Sequence, residues 1–171
     1  MSIDSLNDLF VEELKDLMSA EKQITKALPK LIKAANSPEL QSAFEEHLAL
    51  TEGHIERLVQ VFERLGLEPA EKPCKGMAGL IEEGSELIKE TMAPSVKDAA
   101  LISAAQRVEH YEMAVYGSLR TYAQLLGDIE TAQILQSTLD EEGDADRKLT
   151  QLAEFSVNLQ AAEADMEEVE S

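Results

Sequence analysis

Glu21, Glu109, Glu112 and Glu142 fall in or at the edge of the apolar stripes of three long helical segments, and His54 falls in the stripe of a fourth. A carboxylate taken out of water without a partner is driven to protonate, so several converging on one core call for a cation that keeps them ionised. Oxygen ligands with one or two imidazoles suit iron and manganese alike, and the donor types do not choose between them. The chain has no cluster of cysteines for a thiolate zinc site.

Spacing places these residues at one depth. Each helical residue advances ~1.5 Å, so depth can be counted in residues from a turn. Glu21 lies 15 residues before Asn36, and Thr51 and His54 lie 15 and 18 after it. Glu112 and Glu109 lie 15 and 18 before Gly127, and Glu142, Ala145 and Asp146 lie 15, 18 and 19 after it. A lone Glu at an apolar edge is ordinarily a rim residue. At matching depth, Glu21, His54, Glu109, Glu112 and Glu142 form a candidate metal-ligand set, with Asp146 as a further candidate.

Di-metal helical bundles take a Glu from each of two helices and a Glu-x-x-His pair from the other two, because residues three apart share a face. The chain departs from that pattern at Thr51, where a ligating Glu is expected, and at Ala145, where a His is expected. Glu52 is rotated ~100° from Thr51 and leaves the stripe. His47 shares the stripe of His54, but seven residues span ~10.5 Å of axis, too far for both to hold ions ~3.5–4 Å apart, so His47 reads as a packing or supporting residue. His110, near Arg107, reads as surface. Tyr111 and Tyr116 flank the acidic pair and read as packed rings with a hydroxyl bonded to a carboxylate. Cys74, close to Lys72 and Lys75, reads as a loop or dimer-contact thiol.

Four long segments must position these groups. Apolar residues spaced three and four apart predict a first helix over 4–35, kinked or broken at Pro29. Ser37 as N-cap and Pro38 at the first helical position open a second helix over 38–65, which Gly66 ends. Residues 66–79 have the Gly and Pro content of a loop, and a short amphipathic helix is expected over 80–92. Ser95 with Asp98 resembles a capping box ahead of a third long helix over 96–126. Gly127 and Asp128 separate it from a fourth over 129–155. Short turns within each half and a long link between halves predict an all-α, ferritin-like antiparallel four-helix bundle with a crossover containing a short extra helix. The bundle is expected to span 1–155, with 156–171 as a solvated acidic tail.

Composition agrees with one all-α domain: of 171 residues, 4% are aromatic and none is Trp. A net charge of −19 repels nucleic-acid phosphates and anionic membrane surfaces, so neither is an expected partner. No apolar run approaches the ~18 residues of a membrane span, the first residues lack a signal-peptide pattern, and one Cys cannot pair internally. A soluble, cytoplasmic protein is the expectation.

The segments LFVEELKDLMSAEKQ around Glu21, HLALTEGHIERLVQVFE around His54, KPCKGMAGLIEEG in the link, RVEHYEMAVYGSL around Glu109 and Glu112, and TLDEEGDAD around Glu142 carry a resemblance. From Leu6 to about Leu152 the chain resembles the YciE/YciF family of bacterial ferritin-like stress proteins. The resemblance implies a rubrerythrin-like fold, bound iron or another divalent metal, a homodimer and a link to stress responses, but no particular reaction. Met18 falls where such proteins would carry a Tyr. Three functions stand open: a di-iron or di-manganese carboxylate protein that reacts with peroxide or oxygen, a non-enzymatic iron-binding or metal-buffering protein, and a structural or partner-binding bundle.

Overall fold

The periodic apolar residues form five helices in the computed structural model, which describes residues 3–163. They are α1 (Leu6–Ala34), α2 (Pro38–Arg64), α3 (Lys75–Lys89), α4 (Pro94–Leu125) and α5 (Ile129–Leu152). Helix starts follow local chemistry, the side chains of Ser5, Ser37 and Asp128 accepting hydrogen bonds from Asp8, Leu40 and Thr131 N–H groups. Helices α2 and α4 are each followed by a left-handed glycine, Gly66 at φ 69° and Gly127 at φ 83°.

Helices α1 and α2 form one hairpin, and α4 and α5 form the other. Because α1 packs on α4 and α2 on α5, the four long helices close a ring, and α3 crosses outside it against α1 and α4. This is the antiparallel bundle with a helical crossover. Phe10, Leu14 and Leu17 of α1, Phe44 and Phe62 of α2, Leu101 and Leu119 of α4, and Leu135 of α5 are fully buried at its centre. Among the described residues no helix is long and apolar enough to cross a membrane.

Four local expectations are revised. Of the kink or break expected at Pro29 the break does not occur: the first helix is continuous through it, with Ile24 and Leu28 buried on the core side. Helix α3 begins at Lys75 rather than 80, capped by the Cys74 thiol accepting from Met77 N–H. Gly76 and Gly79 read as loop residues from sequence, but Gly76 is a contact: a Cβ there would stand 2.8 Å from the Tyr111 ring. Asp98 does not close a capping box in α4, whose N-cap is Ala93. Its buried carboxylate instead accepts from the Asn36 and Ser37 backbone N–H groups, both at 2.7 Å, and ties the α1–α2 turn to α4.

At the C-terminal end, α5 passes through a π-helical turn, Ala153–Val157, and helical backbone continues over 158–163. Ala153 and Val157 are buried. The rest of the expected tail, 164–171, lies outside the described residues.

Candidate metal centre

Each long helix turns at least one polar side chain inward at mid-height. Helix α1 contributes Glu21, α2 contributes His47, Thr51 and His54, α4 contributes Glu109 and Glu112, and α5 contributes Glu142, all buried. Their ligand atoms form two groups, His47 with Glu109, Glu112 and Glu142, and Glu21 with His54 and Glu142, each within 4.8 Å. The Glu142 carboxylate joins them. One oxygen lies 2.9 Å from His54 Nδ1, the other 3.8 Å from His47 Nε2. His47 Nε2 is also 3.1 Å from Glu109 Oε1, and His54 Nδ1 is 3.6 Å from Glu21 Oε1.

Five of the residues singled out by spacing therefore meet: Glu21, His54, Glu109, Glu112 and Glu142. Asp146 does not join them. It turns toward α4, where it accepts from the Gln106 side-chain amide at 3.1 Å and lies 3.4 Å from His110, because one residue past the inward position is ~100° of rotation. Glu52 is exposed, as its rotation predicts, and His110 is on the surface. Thr51 is buried at the ligand level but donates its hydroxyl to the His47 carbonyl, an internal helical bond that leaves it no free role at the site.

His47 is the residue that spacing misplaced. The ~10.5 Å between helix positions seven apart measures backbone, whereas the Glu142 carboxylate reaches from α5 to both imidazoles, one oxygen toward each. The signal was present in the stripe it shares with His54. Placing it at the centre supplies from α2 the second imidazole that Ala145 withholds from α5.

Glu141 was also missed. His54 Nε2 lies 2.8 Å from Glu141 Oε2, and Arg57 holds the same carboxylate with two 2.7 Å bonds. A carboxylate only accepts, so Nε2 carries a proton toward Glu141, and the same contact turns Nδ1 toward Glu21 and Glu142. Tyr116, fully buried on α4, donates its hydroxyl to Glu21 Oε1. Tyr111 instead lies beside Cys74, 3.1 Å from its sulfur, and bonds Asp16. Burial raises the Cys74 thiol pKa, so the neighbouring lysines do not activate it.

The electrostatics show how costly the cluster is without a cation. Burial and the Glu142 charge push Glu21 up to about 7, and burial with the neighbouring carboxylates holds Glu109 and Glu112 well above the usual range. For Glu142 burial works in the same direction but is outweighed by the His54 bond and other neighbours, and its pKa is lowered. Burial lowers His47, while on His54 it is overcome by Glu142, Glu21 and Glu141, which raise it. The donor set also fits a metal by count. Glu21 Oε2, both His47 nitrogens, His54 Nδ1, Glu109 Oε2 and all four oxygens of Glu112 and Glu142 are buried without a hydrogen-bond partner. Buried polar atoms are rarely left so, and here they belong to the two side-chain groups, His47 with Glu109, Glu112 and Glu142, and Glu21 with His54 and Glu142, that could each hold a metal ion.

Fold and site together define a ferritin-like helical bundle with a buried histidine–carboxylate group. Residues 5–162 match the model of a family described as a domain of unknown function, DUF892, and the chain belongs to that family. It is 48% identical over 162 residues to protein YciF of Escherichia coli strain K12, covering 94% of this chain and 98% of that one. The crystal structure of the E. coli stress protein YciF superposes with a TM-score of 0.87, covering 91% of this chain and 98% of the other. YcfI, described as a putative structural protein from Rhodopseudomonas palustris, is 42% identical with a TM-score of 0.85, covering 87% of this chain and 95% of its own. A Xanthomonas campestris protein at 22% identity and a TM-score of 0.74, over 96% of this chain and 99% of its own, shares the fold.

Proposed function

We propose that the chain is a metal-binding protein of the bacterial stress response that holds two ions of iron, or alternatively manganese, in a carboxylate- and histidine-lined site. The observation that carries this is the gathering of buried, unpartnered ligand atoms of Glu21, His47, His54, Glu109, Glu112 and Glu142 from four helices. His47, Glu109 and Glu112 would hold one ion, Glu21 and His54 the other, and Glu142 would bridge them. The link to stress rests on the 48% identical relative, itself called a stress protein.

A redox-active pair of ions in such a site supplies electrons for reducing peroxide or oxygen. The chain's own residues would orient and shield that chemistry. Glu141, fixed by Arg57, holds the proton on His54 Nε2 and keeps Nδ1 inward. Tyr116 places a phenolic proton on Glu21, and the apolar ring of the bundle limits water. Elemental analysis of protein purified without chelator should give close to two ions per chain, and iron-loaded protein should consume hydrogen peroxide faster than apoprotein does. An ion count at background overturns the site.

A second reading, metal storage or buffering without turnover, is favoured by the complete burial of Glu21, His54, Glu112 and Glu142. Full stoichiometric binding with peroxide loss equal to that of apoprotein would decide for it. We also infer a homodimer. Leu125, Leu126 and Ile129 expose apolar surface around the α4–α5 turn, and sedimentation at equilibrium tests the assembly.

A further inference from the structure

Two cavities reach the same pair of side chains. One lies beneath α3, walled by Leu31, Ile81, Ile88 and Val108, and touches His47 and Glu109 at its inner end. Its volume open to water centres is about 40 Å³, which accommodates roughly three waters. The other opens between α2 and α5 and offers about 290 Å³ by the same measure, enough for a cation with its hydration shell.

The larger cleft also has the right chemistry along its length. Glu46, Glu141 and Asp144 stand at its lining toward solvent, with Lys148 as its single cationic side chain. Lys148 is bound to Glu46, Asp144 to Arg147, and Glu141 to Arg57. At the floor are His47, 6% exposed with both ring nitrogens unpartnered, and Glu109, 2% exposed with Oε2 unpartnered. An ion passing inward would meet these ion-paired rim carboxylates first and the unpartnered atoms of His47 and Glu109 at the floor.

We propose that the α2–α5 cleft is the entry path for the divalent cation, and that Lys148, tethered to Glu46 across the mouth, is the positive charge that slows entry. This rests on the metal-binding reading above and adds the route and its gate. The pocket beneath α3 is too narrow and too apolar to strip a cation of its water without compensation.

The test uses Co²⁺ as probe, with equilibrium titration for ion number and stopped-flow absorbance for uptake rate on the full chain. Removing one charge near a divalent ion in a watery mouth should raise the association rate about threefold at low ionic strength in Lys148→Ala, and about tenfold in Lys148→Glu. The gain should shrink in 0.5 M salt. Ala145→Leu, which narrows the cleft, should slow uptake about tenfold with the ion number unchanged. Ser85→Leu, which narrows the pocket beneath α3, should leave the rate at the parent value. Circular dichroism confirms the helical fold of each variant, and the exposed Lys148 substitutions test the route even if Ala145→Leu fails to fold. Parent-like rates in both Lys148 variants, or slowing by Ser85→Leu, overturn the route while leaving the site intact. A parent protein that binds no Co²⁺ at equilibrium overturns the reading beneath it, and the route with it.

Discussion

Glu142 has the most demanding position in the molecule, since its two oxygens face two different histidines. Glu142→Gln keeps the shape but removes the charge and half the acceptor capacity, so both ions should be weakened, with metal content falling at least about tenfold. Glu21→Ala should cost chiefly one ion, and so should His47→Ala, while Glu52→Ala should retain the parent content because its side chain points to solvent. Metal analysis of the four variants after identical dialysis separates them, and unchanged occupancy in both Glu21→Ala and Glu142→Gln would mean that the cluster is not a metal site. Glu141→Ala probes orientation. It leaves His54 in place but frees its ring, and loss of such an outer partner typically weakens metal binding by about 10–100-fold.

Between elements, the Asp98 side chain ties the α1–α2 turn to α4, beside a 3.1 Å bond from the Asn36 side-chain amide to the Pro94 carbonyl. Asp98 is 3% exposed and accepts two short backbone bonds from the turn. Replacing it by alanine strands two N–H groups, and charge-assisted bonds of this kind predict a loss of about 2–4 kcal/mol, read as a lower urea midpoint. Asp98→Asn retains one acceptor oxygen and should lose roughly half as much. The crossover is fitted by size instead. Gly76→Ala pushes a methyl into the Tyr111 ring and should cost about 1–3 kcal/mol, the usual range for overpacking. In the Tyr111→Ala background the same change should cost much less, and additive effects would show that the contact is not the reason for glycine.

At the scale of the whole molecule, stability without metal depends on pH through the same cluster. Glu21, Glu109 and Glu112 have folded pKa values raised above the ordinary carboxylate value of 4.5, Glu21 to about 7. The native state then binds more protons than the unfolded chain between those values, so each contribution grows as pH falls and is lost as pH rises through the folded pKa. His54, also raised, acts in the same direction, whereas the lowered His47 opposes it near 6.5. Three carboxylates and one imidazole outweigh one imidazole. The apoprotein melting midpoint should rise as pH drops from about 7 to 5.5. The metal-loaded midpoint should fall over the same range, because protons compete with the ions for ligands. Thermal melts across this interval check both trends, and parallel curves would show that the acids do not share one core.

Much of this architecture was legible in the chain because it is local or periodic. Apolar residues three and four apart set the four long helices, Ser37-Pro38 and Gly127-Asp128 set the two tight turns, and counting from those turns put Glu21, Glu112 and Glu142 at one level. A helix has a fixed rise and rotation, so depth and face follow from position. What the sequence did not contain was how side chains reach across the space between helices. That decided His47, whose ring meets Glu109 and Glu142 although its backbone lies four residues nearer the turn than Thr51, and Glu141, whose role exists only because Arg57 and His54 meet it from another helix. It also excluded Asp146, recruited by Gln106 on α4, and turned Asp98 from a presumed cap into a tether. The start of α3 at Lys75 has the same cause. Gly76, which reads locally as loop, is helical here with the Tyr111 ring, 35 residues away in sequence, lying against it, and a contact of that range is fixed only when the bundle closes.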